Sequence, residues 1–227
     1  MAYLITHSLL SSWLYSMRDN PYADATQEDT SKEDFLRVLR REPTPITEAM
    51  QRGIDFENLV TAIVNGTLEI EEEPTGHVLP NTDTIDGEAG FVKVYPKWYA
   101  PAKTIADIVS GGQLQYVATK TVTINGLELI LYGRLDALKA GAIYDIKFSS
   151  GYERGKFLDS TQHPMYLELV PEAEYFSYLV SDGNEVWTEK YRRDETPSII
   201  PTIVDFIRWL NETGNMDTYL KYWGARK

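Results

Sequence analysis

The chain has 227 residues, 43% of them hydrophobic, enough for one substantial domain that buries roughly 70% of its unfolded surface without disulfides or a structural metal. It contains no cysteine, which excludes disulfides, thiolate zinc sites, iron–sulfur clusters and thiol nucleophiles. The net charge of −12 works against nucleic-acid binding unless cations gather locally, because phosphate contacts come from a basic footprint.

The first predicted element is a short helix over residues 8–18 (SLLSSWLYSMR), ended by Asn20-Pro21. A charged helix follows over 32–41, closed by Pro43 and Pro45. Thr44 or Thr47 then caps a third helix running to Asn65-Gly66, whose Phe56, Leu59, Val60, Ile63 and Val64 recur at the spacing of a core-facing stripe. Glu57 borders that stripe. Residues 74–90, rich in Gly, Pro, Thr, Asn and Asp, are expected as an exposed loop with a short strand entering it at 67–71.

From residue 114 the pattern turns to strands. Residues 114–124 and 127–138 flank Asn125-Gly126, a two-residue hairpin signal, and Ala140-Gly141 leads into 142–148. The three make an antiparallel meander. A helix over 160–169, ended by Pro171, precedes a second hairpin, 175–180 and 185–191, joined by Asp182-Gly183. Ile199, Ile200, Ile203, Val204, Ile207 and Leu210 recur at helical spacing and predict an amphipathic helix over 198–212, with a short one at 216–223. The fold class is α+β, with a sheet built on the meander and flanked by helices. One domain is expected, with a helical segment at 1–45, a core at 46–195 and C-terminal helices at 196–227.

Period-2 alternation places Tyr132, Arg134 and Asp136 on one face of their strand, against Leu131, Gly133, Leu135 and Ala137 on the other. In the next strand Asp145 and Lys147 share a face. A tight turn joins the two strands, so two carboxylates and a lysine converge. That group suits phosphodiester hydrolysis: magnesium takes one or two carboxylates plus waters and substrate phosphate, and a lysine beside it orients the water or stabilises developing charge.

The residues GRLD ending at Asp136, YDIK spanning Asp145 to Lys147, and QHPMY from Gln162 to Tyr166 resemble the D…D-x-K…Q-x-x-x-Y signature of RecB-like nucleases, in the PD-(D/E)xK superfamily. Gly53-x-x-Phe56-Glu57 resembles that family's first acidic motif, and SLLSSWLY its N-terminal helix. The resemblance implies a restriction-endonuclease-like core with a mixed sheet, and an Mg2+- or Mn2+-dependent deoxyribonuclease, an exonuclease of recombination, repair or phage DNA processing. It implies that Asp136, Asp145 and the Ile146 carbonyl hold the metal, that Glu57 joins directly or through water, and that Lys147 acts on the nucleophilic water. Gln162 and Tyr166 would position the lysine, metal waters or substrate phosphate. Many relatives carry cysteines for an iron–sulfur cluster; this chain would belong to a cluster-free branch. DNA is the implied partner, with a recombination protein and a ring-forming homo-oligomer as further expectations. The alternative is a catalytically inactive nucleic-acid-binding or protein-interaction module on the same fold.

Charge is unevenly distributed. Residues 53–92 hold no Lys or Arg, while Glu69, Glu71, Glu72, Glu73, Asp83, Asp86 and Glu88 crowd that stretch. Lys32, Arg37, Arg40 and Arg41 gather early, and Arg134, Lys139, Lys147, Arg154 and Lys156 in the middle. Arg134, Arg154 and Lys156 are candidate contacts to nucleic acid, against an ion pair for Arg134 and simple solvation for the other two. Gly151 to Lys156 lacks the spacing and the hydroxyl of a Walker phosphate loop. His7, His77 and His163 lack zinc-ligand spacing, and His163 is expected to be structural. Pro164 is compatible with its helix only in the first turn. The N-terminal stretch lacks the basic start of a signal peptide and no apolar run is long enough to span a membrane, so a cytoplasmic location is expected.

Overall fold

A computed structural model describes residues 1–18, 30–74, 85–86 and 91–225. The chain enters as a strand, β1 (Tyr3–Thr6), and turns directly into α1 (His7–Met17), where the Thr6 hydroxyl caps the Leu9 N–H at 3.2 Å. The next helix, α2, spans Ser31–Leu39. In α3 (Glu48–Asn65) Thr47 is the cap, its hydroxyl accepting from Met50 N–H, and Gly66 closes the helix in the left-handed region at φ 65°. The expected short strand appears slightly later, as β2 (Glu71–Pro74). It pairs with β4 (Phe91–Val94), which also pairs with β3 (Ile85–Asp86). The rest of the predicted 74–90 loop lies outside the described residues.

The meander closely follows its sequence prediction, as β5 (Gln113–Ile124), β6 (Leu127–Lys139) and β7 (Ala142–Phe148). Asn125 and Gly126 both have positive φ, 51° and 78°, as a two-residue hairpin turn requires. After β7 a loop leads to α5 (Gln162–Leu169), which returns the chain to β8 (Tyr175–Ser181), parallel to β7, and then to the edge strand β9 (Val186–Arg192). Helices α6 (Ile200–Glu212) and α7 (Met216–Tyr222) complete the chain.

Besides β3 and β4, two further elements have no counterpart in the sequence prediction. β1 pairs in parallel with β6, Thr6 opposite Tyr132, so the N-terminal segment supplies a strand as well as helices. α4 (Tyr99–Val109) packs beside α3. The sheet is therefore mixed and covered on both faces. One face carries the larger core, where Leu9, Leu10 and Trp13 of α1, Phe35 and Leu39 of α2, Met165, Tyr166 and Leu169 of α5, and Phe206 and Leu210 of α6 meet Leu129, Leu131 and Leu135 of β6. The other holds Phe56 and Val60 of α3 and Ala102, Ile105, Ala106 and Val109 of α4 against Ala137, Ile146 and Leu179. Phe56 is fully buried beside Trp98 and Phe148, which anchors α3 and fixes where the adjacent Glu57 emerges. Burial of such a ring contributes on the order of 2–3 kcal/mol.

The ends of the described chain meet. Leu4 N–H donates to Trp223 O at 2.8 Å, the Tyr219 hydroxyl donates to Leu4 O at 3.0 Å, and the Trp223 indole N–H donates to Leu39 O at 2.9 Å. Among the described residues no helix is long and apolar enough to cross a membrane.

Candidate functional site

One interruption in the sheet sets the site. Along one edge of β6, residues 129–132 pair with β1 and residues 137–139 pair with β7. Residues 133–136 face neither strand. Beyond Tyr144, β7 leaves β6 and pairs only with β8, so the sheet forks at this point. Backbone groups exposed by a fork must find other partners. Asp136 supplies one, its carboxylate accepting the Ile146 N–H at 2.7 Å, and Tyr166 supplies another, its hydroxyl donating to Arg134 O at 3.0 Å.

The fork also corrects the predicted faces of β6. Leu131 and Leu135 pack in the larger core, as alternation requires, but Ala137 packs on the opposite face of the sheet. Alternation fails between Leu135 and Ala137. The pairing register of β5 and β6 skips Gln115 and Asp136 there, and Gln115 has a φ of 51°, a left-handed conformation rarely held by a non-glycine residue. Asp136 is turned toward β7 rather than standing on the Tyr132–Arg134 face.

Asp145 is buried at 3% exposure. Its Oδ1 accepts a short hydrogen bond from Gln162 Nε2, and its Oδ2 pairs with the Lys147 ammonium at 2.8 Å. Glu57, half-buried on α3, accepts from Gln115 Nε2 at 2.6 Å. The carboxyl of Asp136 is pushed well above the ordinary carboxylate range by burial first, and then by the charges of Asp145 and Glu57; the Ile146 N–H and Lys147 pull the other way. Burial acts to lower the Lys147 ammonium, but Asp145, Asp136 and Glu57 outweigh it and raise the group, so it stays charged.

Pro164 causes no kink. Helix α5 starts at Gln162, later than predicted, so the proline falls in its first turn, where its missing N–H breaks no intrahelical bond. Gln162 and Tyr166 both point toward the fork. α5 can lie this close because β6 has Gly133 beneath it: a Cβ there would stand 2.7 Å from the Tyr166 ring and 2.8 Å from Leu169. At its far end the Arg193 side chain donates to Leu167 O in the last turn, Val170 O at the cap and Ala173 O in the turn beyond.

The remaining predicted residues lie around this centre. Arg134 is exposed and its guanidinium forms no ion pair among the described residues. Arg154 and Lys156 are exposed on the loop that follows β7. His163 is buried, stacked 3.9 Å from the Tyr191 ring, with burial pushing it down to about 4. His77 lies outside the described residues. Two residues near the centre have no sequence signal. Gln115 holds Glu57. His7, the first residue of α1, sets its ring against Tyr166 at 5.4 Å and is lowered to about 4 by burial and by the Lys147 charge. Nothing in the spacing of His7 or Gln115 marks them; only the β1 pairing and the left-handed turn at Gln115 bring them in.

Among the described residues no three His, Asp or Glu side chains stand close enough together to hold one metal ion, because Asp136, Asp145 and Glu57 are each turned to a donor of the protein. The donor set still fits a divalent cation in one respect. Asp145 Oδ2 is a buried oxygen whose partner is itself a cation, the Lys147 ammonium, and it stands beside a second carboxylate whose ionisation is opposed by like charge.

No family model matches the sequence, and no curated protein matches it significantly. Among solved structures, the crystal structure of SSO0001 is similar over 50% of this chain and 62% of that one, at 19% identity and a TM-score of 0.38.

Proposed function

We propose that the chain is a metal-dependent nuclease that hydrolyses phosphodiester bonds of DNA, and that the fork between β6 and β7 is its active site. The observation that carries this is the convergence of Asp136, Asp145 and Lys147, where the Lys147 ammonium stands 2.8 Å from a buried Asp145 oxygen beside a carboxyl whose charge is opposed by its neighbours. Magnesium commonly takes one or two carboxylates from protein, the rest of its shell being water and phosphate. Lys147 offsets one of the three acidic side chains; a bound Mg2+ or Mn2+ would neutralise the rest. When bound, the metal would polarise the phosphoryl group and make a water nucleophilic at neutral pH.

The chain's own groups supply the positioning. Gln162 and the Ile146 N–H each hold one oxygen of a carboxylate by a hydrogen bond; the second Asp145 oxygen faces Lys147, and a bound cation would share it. Lys147, kept charged by three carboxylates, stands where it can orient the attacking water or stabilise charge on the phosphate. Glu57 lies within electrostatic reach of both and could join through water.

The test compares wild type with Asp145→Asn and Lys147→Ala on labelled single- and double-stranded DNA, with magnesium, manganese or chelator. Cleavage by wild type in metal and its loss by about 100-fold or more in both variants is expected. Equal cleavage by all three proteins would place the activity elsewhere. Metal-independent DNA binding without any cleavage would favour an inactive module, which the internal pairing of all three carboxylates would suit.

A further inference from the structure

The loop between β7 and α5 contains a buried carboxylate contact that the proposed hydrolysis does not use. Glu189, on β9 and 8% exposed, accepts hydrogen bonds from the Tyr152 hydroxyl at 2.6 Å, the Gly155 N–H at 3.1 Å, the Phe157 N–H at 3.4 Å and the Tyr191 hydroxyl. Burial alone would raise its pKa, but these four donors hold it below the ordinary range. Three of them belong to the loop. Rings lock the same segment, with Phe157 stacked 4.2 Å from Tyr178 and Tyr152 stacked 5.5 Å from Trp187. An irregular loop held this firmly has its shape set before any ligand arrives.

That shape is a concavity of about 630 Å3 lined wholly by residues 149–156. Its cations are unspent. Lys156 Nζ donates to Ser149 Oγ at 2.7 Å and Gly151 O at 3.0 Å, both neutral, and Arg154 has no ion pair among the described residues although its charge reaches Tyr152. Glu153 is the one acid among residues 149–156, exposed just before Arg154; Asp159, further along the loop, pairs with Arg18 at 3.4 Å. In a chain of net charge −12, two cations left without a carboxylate on one rigid loop mark a site for an anion. The location identifies the anion. Ser149 N–H donates to Ser181 O, continuing the ladder of β7 and β8, so the loop starts two residues beyond Lys147, ~7 Å along the strand. That is a step of one or two phosphates along a nucleic-acid strand.

We propose that residues 149–156 form a phosphate cradle that grips the nucleic-acid backbone beside the scissile bond, with Ser149, Arg154 and Lys156 as its contacts and Glu189 as the positioning residue that holds the loop in shape. The cradle rests on the nuclease reading for its substrate, but it can be tested without cleavage. Binding of a fluorescein-labelled oligothymidylate is measured by anisotropy in chelator across a salt series, and cleavage is measured separately in magnesium. The double variant Arg154→Ala/Lys156→Ala is expected to bind about ten-fold more weakly, with a salt slope smaller by about 1.4, and to lose cleavage efficiency through KM. Glu189→Gln keeps one acceptor oxygen and turns an amide NH2 toward either the Gly155 or the Phe157 N–H, and should lose affinity and slope together. Lost affinity at an unchanged slope would mean general loosening and remove Glu189 from the cradle. If wild type cleaves while the double variant keeps its affinity and slope, the cradle is wrong and the nuclease reading stands. If wild type binds and the double variant does not, yet neither cleaves, the cradle stands and the nuclease reading fails. A wild type that does neither overturns both.

Discussion

Asp136 carries a conflict that the fold does not resolve by itself. Its carboxylate is needed as an acceptor for the Ile146 N–H, yet its charge is opposed by burial and by Asp145 and Glu57. A carboxyl whose folded pKa is raised costs stability above its unfolded value, since the folded state resists losing the proton. Asp136→Asn keeps an oxygen for Ile146 and removes the charge. In chelator it should melt about 2–4 °C higher than wild type, the rise expected from about 1 kcal/mol in a chain of this size. Magnesium or manganese should raise the melting temperature of wild type by mass action and leave the variant nearly unmoved. A variant that melts lower in chelator, or keeps the full metal-dependent rise, would remove Asp136 from the proposed cation site. At this scale the acidic residues and Lys147 were legible from residue type and period-2 spacing. Gln115 and His7 were not, because a neutral amide at positive φ and a lone histidine at a helix start look like many others until the fork brings them beside Glu57 and Tyr166.

Elements, rather than residues, decide how well Gln162 meets Asp145. α5 is short, its first turn contains Pro164, and its approach to β6 depends on the absence of a side chain at Gly133. Gly133→Ala places a methyl where the Tyr166 and Leu169 side chains already stand, so α5 must move outward. The expected cost is about 1–3 kcal/mol of stability, read as a lower denaturation midpoint. Cleavage should fall further than the loss of folded protein explains, since Gln162 is carried away from Asp145 by the same movement. Unchanged stability together with full activity would show that α5 does not depend on this contact. Strands β5 to β7 were legible because long alternating runs and Asn125-Gly126 specify a hairpin locally. β1, four residues long, has too little pattern to be seen, and in α4 Pro101 interrupts the helical signal although it falls in the first turn.

For the whole molecule, acid is the condition that tests the packing. His7 and His163 are each lowered from 6.5 to about 4, chiefly by burial. Between those pH values the unfolded chain binds protons that the folded chain refuses, so their contribution is complete above about pH 6.5 and lost as pH falls toward 4. Glu189, held low by its donors, acts in the same direction at lower pH, and Asp136 opposes both. His163→Phe keeps a ring against Tyr191 and removes the titration. Compared with wild type, it should retain more of its neutral-pH stability at pH 4, by at most ~3 kcal/mol, in denaturant titrations across this range. Parallel profiles for the two proteins would show that His163 takes up its proton in the fold without penalty.

The sequence by itself determined the meander, the helical stripes and the order of Asp136, Asp145 and Lys147 on neighbouring strands, because all of these follow from periods of 2 and 3.6 and from turn chemistry acting over a few residues. Tertiary structure decided that the sheet forks. β1 takes the edge of β6 that β7 abandons, drawing His7 to the centre, and the freed backbone groups turn to Asp136 and Tyr166. A pairing between residues 3–6 and 129–132 rests on contacts more than a hundred residues apart, and no local pattern records it.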